Sequence, residues 1–227
     1  PSEKVFWVYL MYRQDKGYRI GTAKGSRYGD KRRNKTTSIG LETRGNQESA
    51  DKMWIIKTCF SKKETIFWEM YYSFEYGIPS TVFATCGRKM VLNQDQIDKL
   101  FSSIDTEERA RKLMEDLSIN PNFPHHRPKG TSGNKQPDRQ VIHLKYFEDP
   151  RKSKRNPWSA HRIALNTTDR ELEKQVKDGN FFTRPGRRNT WRTEIMRLDY
   201  NEAHKTAQQL SAAAGNIDIS HEAFLLR

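Results

Sequence analysis

Between Lys4 and Gly77 the chain alternates dense apolar runs with short polar breaks, and this pattern constrains the fold more than any other feature. Val5-Phe6-Trp7-Val8-Tyr9-Leu10-Met11-Tyr12 is rich in β-formers. A polar break, Arg13 to Gly17, leads into Tyr18-Arg19-Ile20-Gly21. Two apolar runs around a glycine-containing break predict a β-hairpin over residues 4–12 and 17–22. Met53 to Phe60 predicts a third strand, and a short polar helix over residues 41–52 leads into it. On that helix Arg44 and Glu48 stand at i, i+4, the spacing of a surface ion pair.

The next helix is the best specified. Ser61-Lys62-Lys63-Glu64 is a capping sequence. Gly77 suits the position just past the helix, and Pro79 prevents its resumption. Within Lys62 to Tyr76, Ile66, Met70 and Phe74 recur at i, i+4, i+8 and predict the buried stripe, with Phe67 and Tyr71 beside it. Glu69 sits at the edge of that stripe. A carboxylate among so many rings costs free energy unless it is paired, protonated or bound to a cation.

Further along, Thr81 to Ala84 reads as a short strand. Helices start near Asn93 (burying Ile97, Leu100 and Phe101) and near Asp105 (burying Ala110, Leu113, Met114 and Leu117). Residues 119–140 are rich in Pro, Gly and polar residues and read as a linker. Its His125-His126 pair is a candidate metal or phosphate ligand. The expected organisation is a first domain over 1–118, the linker, and a second α+β domain over 141–227. In that second domain, strands are expected at 141–147 and 161–165, a helix at 169–177, a hairpin over 181–196, and a helix at 201–214 with Ala203, Ala207, Leu210 and Ala214 inward. A last short strand is read at 217–219.

The net charge is +13, and the cations cluster, so a polyanion is the expected partner, with double-stranded DNA foremost. Arg27, Lys31, Arg32, Arg33 and Lys35 crowd a glycine-containing loop at 22–40, which also holds Lys24. Lys152, Lys154 and Arg155 form a second basic loop. Arg184, Arg187, Arg188, Trp191 and Arg192 decorate the 181–196 hairpin, and a two-stranded ribbon fits a major groove. No long apolar run points to a membrane. Cys59 and Cys86 stand in no metal-ligand spacing, and an intracellular, cytoplasmic location is expected. The chain opens at Pro1 without Met, as expected of a fragment or an excised domain.

The strand–strand–helix–strand–helix order over residues 4–77 resembles the GIY-YIG nuclease superfamily. Trp7-Val8-Tyr9 corresponds to the first signature and keeps its tyrosine. Arg19-Ile20-Gly21 corresponds to the second and keeps Ile-Gly, with arginine at the tyrosine position and Tyr18 one place earlier. Thr22-Ala23-Lys24 is similar to the family's continuation, and Glu69 stands where the family carries its metal-binding glutamate. The family's helix arginine corresponds to Arg27 or Arg44, the latter on the helix. The resemblance implies a small mixed three-stranded sheet with flanking helices. It also implies one divalent cation, Mg²⁺, on Glu69, an arginine on the phosphoryl oxygens, and Tyr9 or Tyr18 positioning or deprotonating water. Deprotonation requires the site to lower the tyrosine pKa.

Asn46-Gln47-Glu48, Tyr76-Gly77-Ile78-Pro79 and Pro124-His125-His126 are similar to endonuclease regions embedded in bacterial helicase inteins. No N-terminal Cys or Ser and no C-terminal His-Asn is present for splicing. The expectation is a site-specific, homing-type DNA endonuclease of bacterial or phage origin, within a larger intein or host protein. Two other readings stand beside it: a non-catalytic, sequence-specific nucleic-acid-binding protein with a decayed nuclease site, and a LAGLIDADG-type homing endonuclease.

Overall fold

A computed structural model describes residues 5–24, 40–85, 89–128, 140–148, 159–186 and 189–221. The chain is α+β and divides into two compact units, Pro1–Pro128 and Lys129–Arg227. The first unit extends ten residues beyond the expected boundary at 118. Its last stretch is held by Met53 and His126, which exchange backbone hydrogen bonds of 2.9 and 3.1 Å, so residues 119–128 are not a free linker.

In the first unit the β-formers of the opening run make β1 (Phe6–Arg13), and β2 (Gly17–Lys24) returns beside it. Gly17 takes φ 80°, in the left-handed region that glycine enters without strain. Helix α1 (Gly40–Glu48) follows, then β3 (Lys52–Cys59) and α2 (Lys62–Tyr76). The strand order is β2-β1-β3, and both pairings are antiparallel, which corrects the mixed sheet expected from the sequence. The direction follows from connectivity: β1 and β2 form a tight hairpin, and α1 returns the chain so that β3 opposes β1.

Alternation divides this sheet into two faces. Val8, Leu10, Ile20 and Trp54 point to a core completed by Tyr72 of α2 and by Ala110, Leu113 and Met114. Those last three lie on α4 (Glu107–Asp116), which follows α3 (Gln94–Ser102). Ile97, Phe101, Ala110, Leu113 and Met114 are buried as the helical spacing predicts. On the opposite face, Tyr9 and Met11 stand across from Gly21 and Arg19. Thr81 to Ala84 forms no strand.

Helix α2 is capped as expected: the Ser61 side chain accepts the Glu64 backbone N–H at 3.1 Å, and Gly77 closes it at φ 66°. Its buried face is not the expected one. Thr65 and Tyr72 are buried and Trp68, Glu69 and Tyr76 half-buried, whereas Ile66, Phe67, Met70, Tyr71 and Phe74 are exposed. Apolar side chains occupy nearly every face of this helix, so spacing alone does not fix its rotation. Tyr72, packed with Trp68 at 5.6 Å between ring centroids, seats the helix instead.

The second unit is a five-stranded sheet in the order β6-β7-β5-β4-β8. Its strands are β4 (Val141–Glu148), β5 (Ser159–Thr167), β6 (Arg184–Pro185), β7 (Trp191–Arg197) and β8 (Asp218–His221). Only the β4–β8 pairing is parallel among the described strands. Helices α5 (Arg170–Asp178) and α6 (Tyr200–Ala213) cover one face, where Leu172, Val176, Ala203, Ala207 and Leu210 meet Leu144, Ile163 and Leu165. Among the described residues no helix is long and apolar enough to cross a membrane.

Candidate active site

The second signature places an arginine where water would be expected to solvate it. Arg19 instead sits on the inner side of β2, 4 % exposed, against Glu48, which is 1 % exposed. Arg19 Nη1 donates to Glu48 Oε1 at 2.8 Å and to Oε2 at 3.0 Å. The same nitrogen donates to the Tyr9 hydroxyl at 3.3 Å, and Nη2 donates to the Ser80 carbonyl at 2.9 Å. Glu48 Oε2 also accepts the Phe83 backbone N–H at 3.0 Å. A buried ion pair survives only when its remaining hydrogen-bonding capacity is met, and these partners largely meet it. The Arg19 Nε has none.

Sequence spacing pairs Glu48 with Arg44 one turn earlier on α1. The structure corrects this, because α1 turns Glu48 inward with Leu41 and Gly45. The pair also pins the segment after α2. Ile20 N–H donates to the Pro79 carbonyl at 3.0 Å, so residues 79–83 are bound at two points to β2 and at a third to Glu48 of α1.

Gly21 makes room for this cluster. A Cβ there would stand 2.6 Å from the Tyr9 hydroxyl oxygen and 2.9 Å from Arg19 Nη2. A glycine is therefore required because the tyrosine and arginine side chains cross directly over it.

Arg44 and Glu69 border the same group. Burial raises the Glu69 carboxyl above its ordinary value, while Arg19 and then Arg44 draw it down. Burial likewise raises Tyr9, opposed by Arg19 and by Arg44. Tyr9, Arg19, Arg44, Glu48 and Glu69 thus form one electrostatically connected set. The lowering of a tyrosine pKa expected for a base does not occur. Burial lifts both Tyr9 and Tyr18, so neither hydroxyl is activated to take a proton.

Tyr18 is separated from this set. It lies on the other face of the sheet, its ring 4.7 Å from Tyr12 and 6.1 Å from Trp54, and its backbone N–H bonds Thr106 Oγ1 at 2.8 Å. Lys24 is exposed at the end of β2. Arg27, Arg32, Arg33, Lys152, Lys154, Arg155, Arg187 and Arg188 lie outside the described residues.

His125 is engaged by the fold. Its Nδ1 accepts the Ile55 backbone N–H at 2.8 Å, and burial lowers its pKa to about 4. Among the described residues no group of three or more His, Cys, Asp and Glu side chains is placed to hold a metal ion. Glu69 is the remaining carboxylate in the set, because the Glu48 carboxylate is committed to Arg19 and Phe83. One carboxylate fits Mg²⁺, which keeps several waters and takes phosphate oxygens from its substrate.

In the second unit Trp191 is a core residue, not a DNA contact. It is fully buried, and its indole N–H donates to the Asp169 carbonyl at 2.5 Å. β7 lies inside the sheet, so Trp191, Thr193 and Ile195 alternate toward the helices while Arg192 and Glu194 take the other face. There Arg184 pairs with Glu194, and Arg162 Nε lies 2.5 Å from the same carboxylate. Arg162 carries no signal in the sequence beyond its charge; it joins this face through the β5–β7 register. No family model matches the chain, and no curated protein or solved structure matches it.

Proposed function

We propose that the chain is a divalent-cation-dependent endonuclease acting on double-stranded DNA, with its reaction centre at Tyr9, Arg44 and Glu69. The observation that carries this reading is that the charges of Arg19 and Arg44 act on both Tyr9 and Glu69, beside the buried Arg19–Glu48 pair. The strand–strand–helix–strand–helix order and the retained Tyr9 and Gly21 support a GIY-YIG-like origin. Glu69 would hold Mg²⁺, which supplies charge neutralisation at the scissile phosphate and its leaving oxygen.

The chain's own residues do the rest. Arg44 offers a planar guanidinium to the phosphoryl oxygens. Tyr9 stays protonated and acts by orienting, since Arg19 occupies one side of its hydroxyl and burial opposes ionisation. Arg19 and Glu48 hold Tyr9 and the 79–83 segment in place. In the second unit the sheet face away from α5 and α6, with Arg162, Arg184 and Arg192 around Glu194, supports DNA contact. The direct experiment is incubation of the chain with a randomised duplex library, with and without Mg²⁺, followed by sequencing of the ends. Ends recurring at one sequence only with Mg²⁺ support the reading, and an uncut library contradicts it.

A second reading is favoured by one observation. Arg19 stands where the family resemblance has a tyrosine, and its pairing with Glu48 turns that position into a structural one. On this reading the chain binds DNA without cutting it. Sequence-selective binding by an uncut complex in the same experiment would favour it.

A further inference from the structure

Helix α2 presents a second, separate feature. Ile66, Phe67, Met70, Tyr71 and Phe74 form a continuous apolar face, each residue between 42 % and 77 % exposed. Single exposed apolar residues are ordinary, but a contiguous set on one helix marks a surface that another body covers. Between Ile66 and Phe74 the face carries no charged side chain. Nucleic acid would need cations there to neutralise phosphates, so the chemistry favours an apolar partner.

We propose that this face is covered by α2 of a second copy of the same chain, packed antiparallel about a two-fold axis through Met70. Three observations commit the occupant. Ile66 and Phe74 stand four residues to either side of Met70, about 6 Å along the axis in each direction. A two-fold axis at Met70 therefore lays Ile66 against Phe74 of the second copy, twice, with Met70 against itself, which is the self-complementarity an isologous interface requires.

Charge agrees with the antiparallel sense. Lys62 and Lys63 are exposed at the start of α2 and Glu75 is exposed near its end. Antiparallel packing brings each lysine pair toward Glu75 of the other copy, whereas parallel packing would set like charges together. The area is also sufficient. With about 200 Å² for a large apolar side chain, the exposed fractions amount to roughly 500 Å² per copy. The pair then buries about 1,000 Å² of apolar surface, the threshold for a specific interface. This inference does not depend on the nuclease reading.

The test uses the full chain. Sedimentation should give twice the 26.7 kDa chain mass at micromolar concentration, and Phe74→Glu should return it to one chain mass with an unchanged circular dichroism spectrum. A Met70→Cys chain under mild oxidation should form a covalent dimer at least tenfold faster than a Val91→Cys chain, whose substituted position is fully exposed and off the helix. The Met70→Cys arm keeps the test decisive if Phe74→Glu does not fold. A wild-type chain that stays monomeric, or equal cross-linking at the two cysteines, overturns the proposal.

Discussion

Arg19 and Glu48 form a buried ion pair between a strand and a helix 29 residues apart in sequence, with Arg19 Nη1 reaching both carboxylate oxygens at 2.8 and 3.0 Å. Removing one member leaves the other charged and unsolvated. Arg19→Ala is expected to destabilise the first unit by about 3–5 kcal/mol. Replacing both members, Arg19→Met with Glu48→Leu, is expected to cost far less, because no charge is then stranded. Urea midpoints of the three variants check this, and equal losses in the single and double variants would show that the pair is not the source.

His125 sets a pH limit on stability. Its folded pKa is about 4 against an ordinary 6.5, with burial as the cause. Above pH 6.5 both folded and unfolded forms are neutral, so stability is flat there. Between that pH and 4 the unfolded chain binds a proton that the folded chain refuses, so stability falls as pH falls. The loss approaches about 3 kcal/mol. A His125→Asn chain is expected to be less stable at neutral pH but to lack this slope, which thermal unfolding across the range measures.

Trp191 and Arg192 are neighbours on β7 that point to opposite faces of one sheet. Trp191→Ala is expected to cost about 3–5 kcal/mol of folding stability. Arg192→Ala is expected to leave the unfolding transition nearly unchanged and to weaken duplex binding by about 1–3 kcal/mol if it reads a base. Unfolding curves and binding isotherms on the same samples separate the two roles.

Local patterns carried much of the fold. The β1–β2 hairpin could be read from two apolar runs around Gly17, and α6 from alanines and a leucine at helical spacing, all of them buried. These features depend on residues close in sequence. Glu48 was unreadable for the opposite reason. Its nearest cation by spacing is Arg44, while its partner Arg19 arrives only through the hairpin and the β2–α1 approach. Helix α2 misled because rings occupy nearly all its faces, so the periodic stripe of Ile66, Met70 and Phe74 gave a clear but wrong rotation. Trp191 was misread because a hairpin with a two-residue strand looks like a free ribbon, although β7 is interior to the sheet. In the proposed site, Tyr9, Gly21 and Glu69 carry signals in the sequence, while the pleat alone shows that Tyr9 and not Tyr18 lies beside Arg19.

Cleavage should also follow the ionisation of Glu69. Burial raises its pKa in the metal-free chain, so protons compete with Mg²⁺ for it from a higher pH than at an ordinary carboxylate, and the Mg²⁺ concentration needed for cleavage rises on acidification. A pH–rate profile that is flat down to the ordinary glutamate range would place the titrating group elsewhere.

On the proposed mechanism, Glu69 is required for strand scission and not for holding DNA. The measurement is single-turnover cleavage of a bound duplex by the wild-type chain and by Glu69→Gln, with Mg²⁺ present and then removed by chelation. Cleavage by the wild-type chain is expected only with Mg²⁺, with a loss of at least a hundredfold in Glu69→Gln at unchanged DNA affinity. Cutting by Glu69→Gln at the wild-type rate would contradict it.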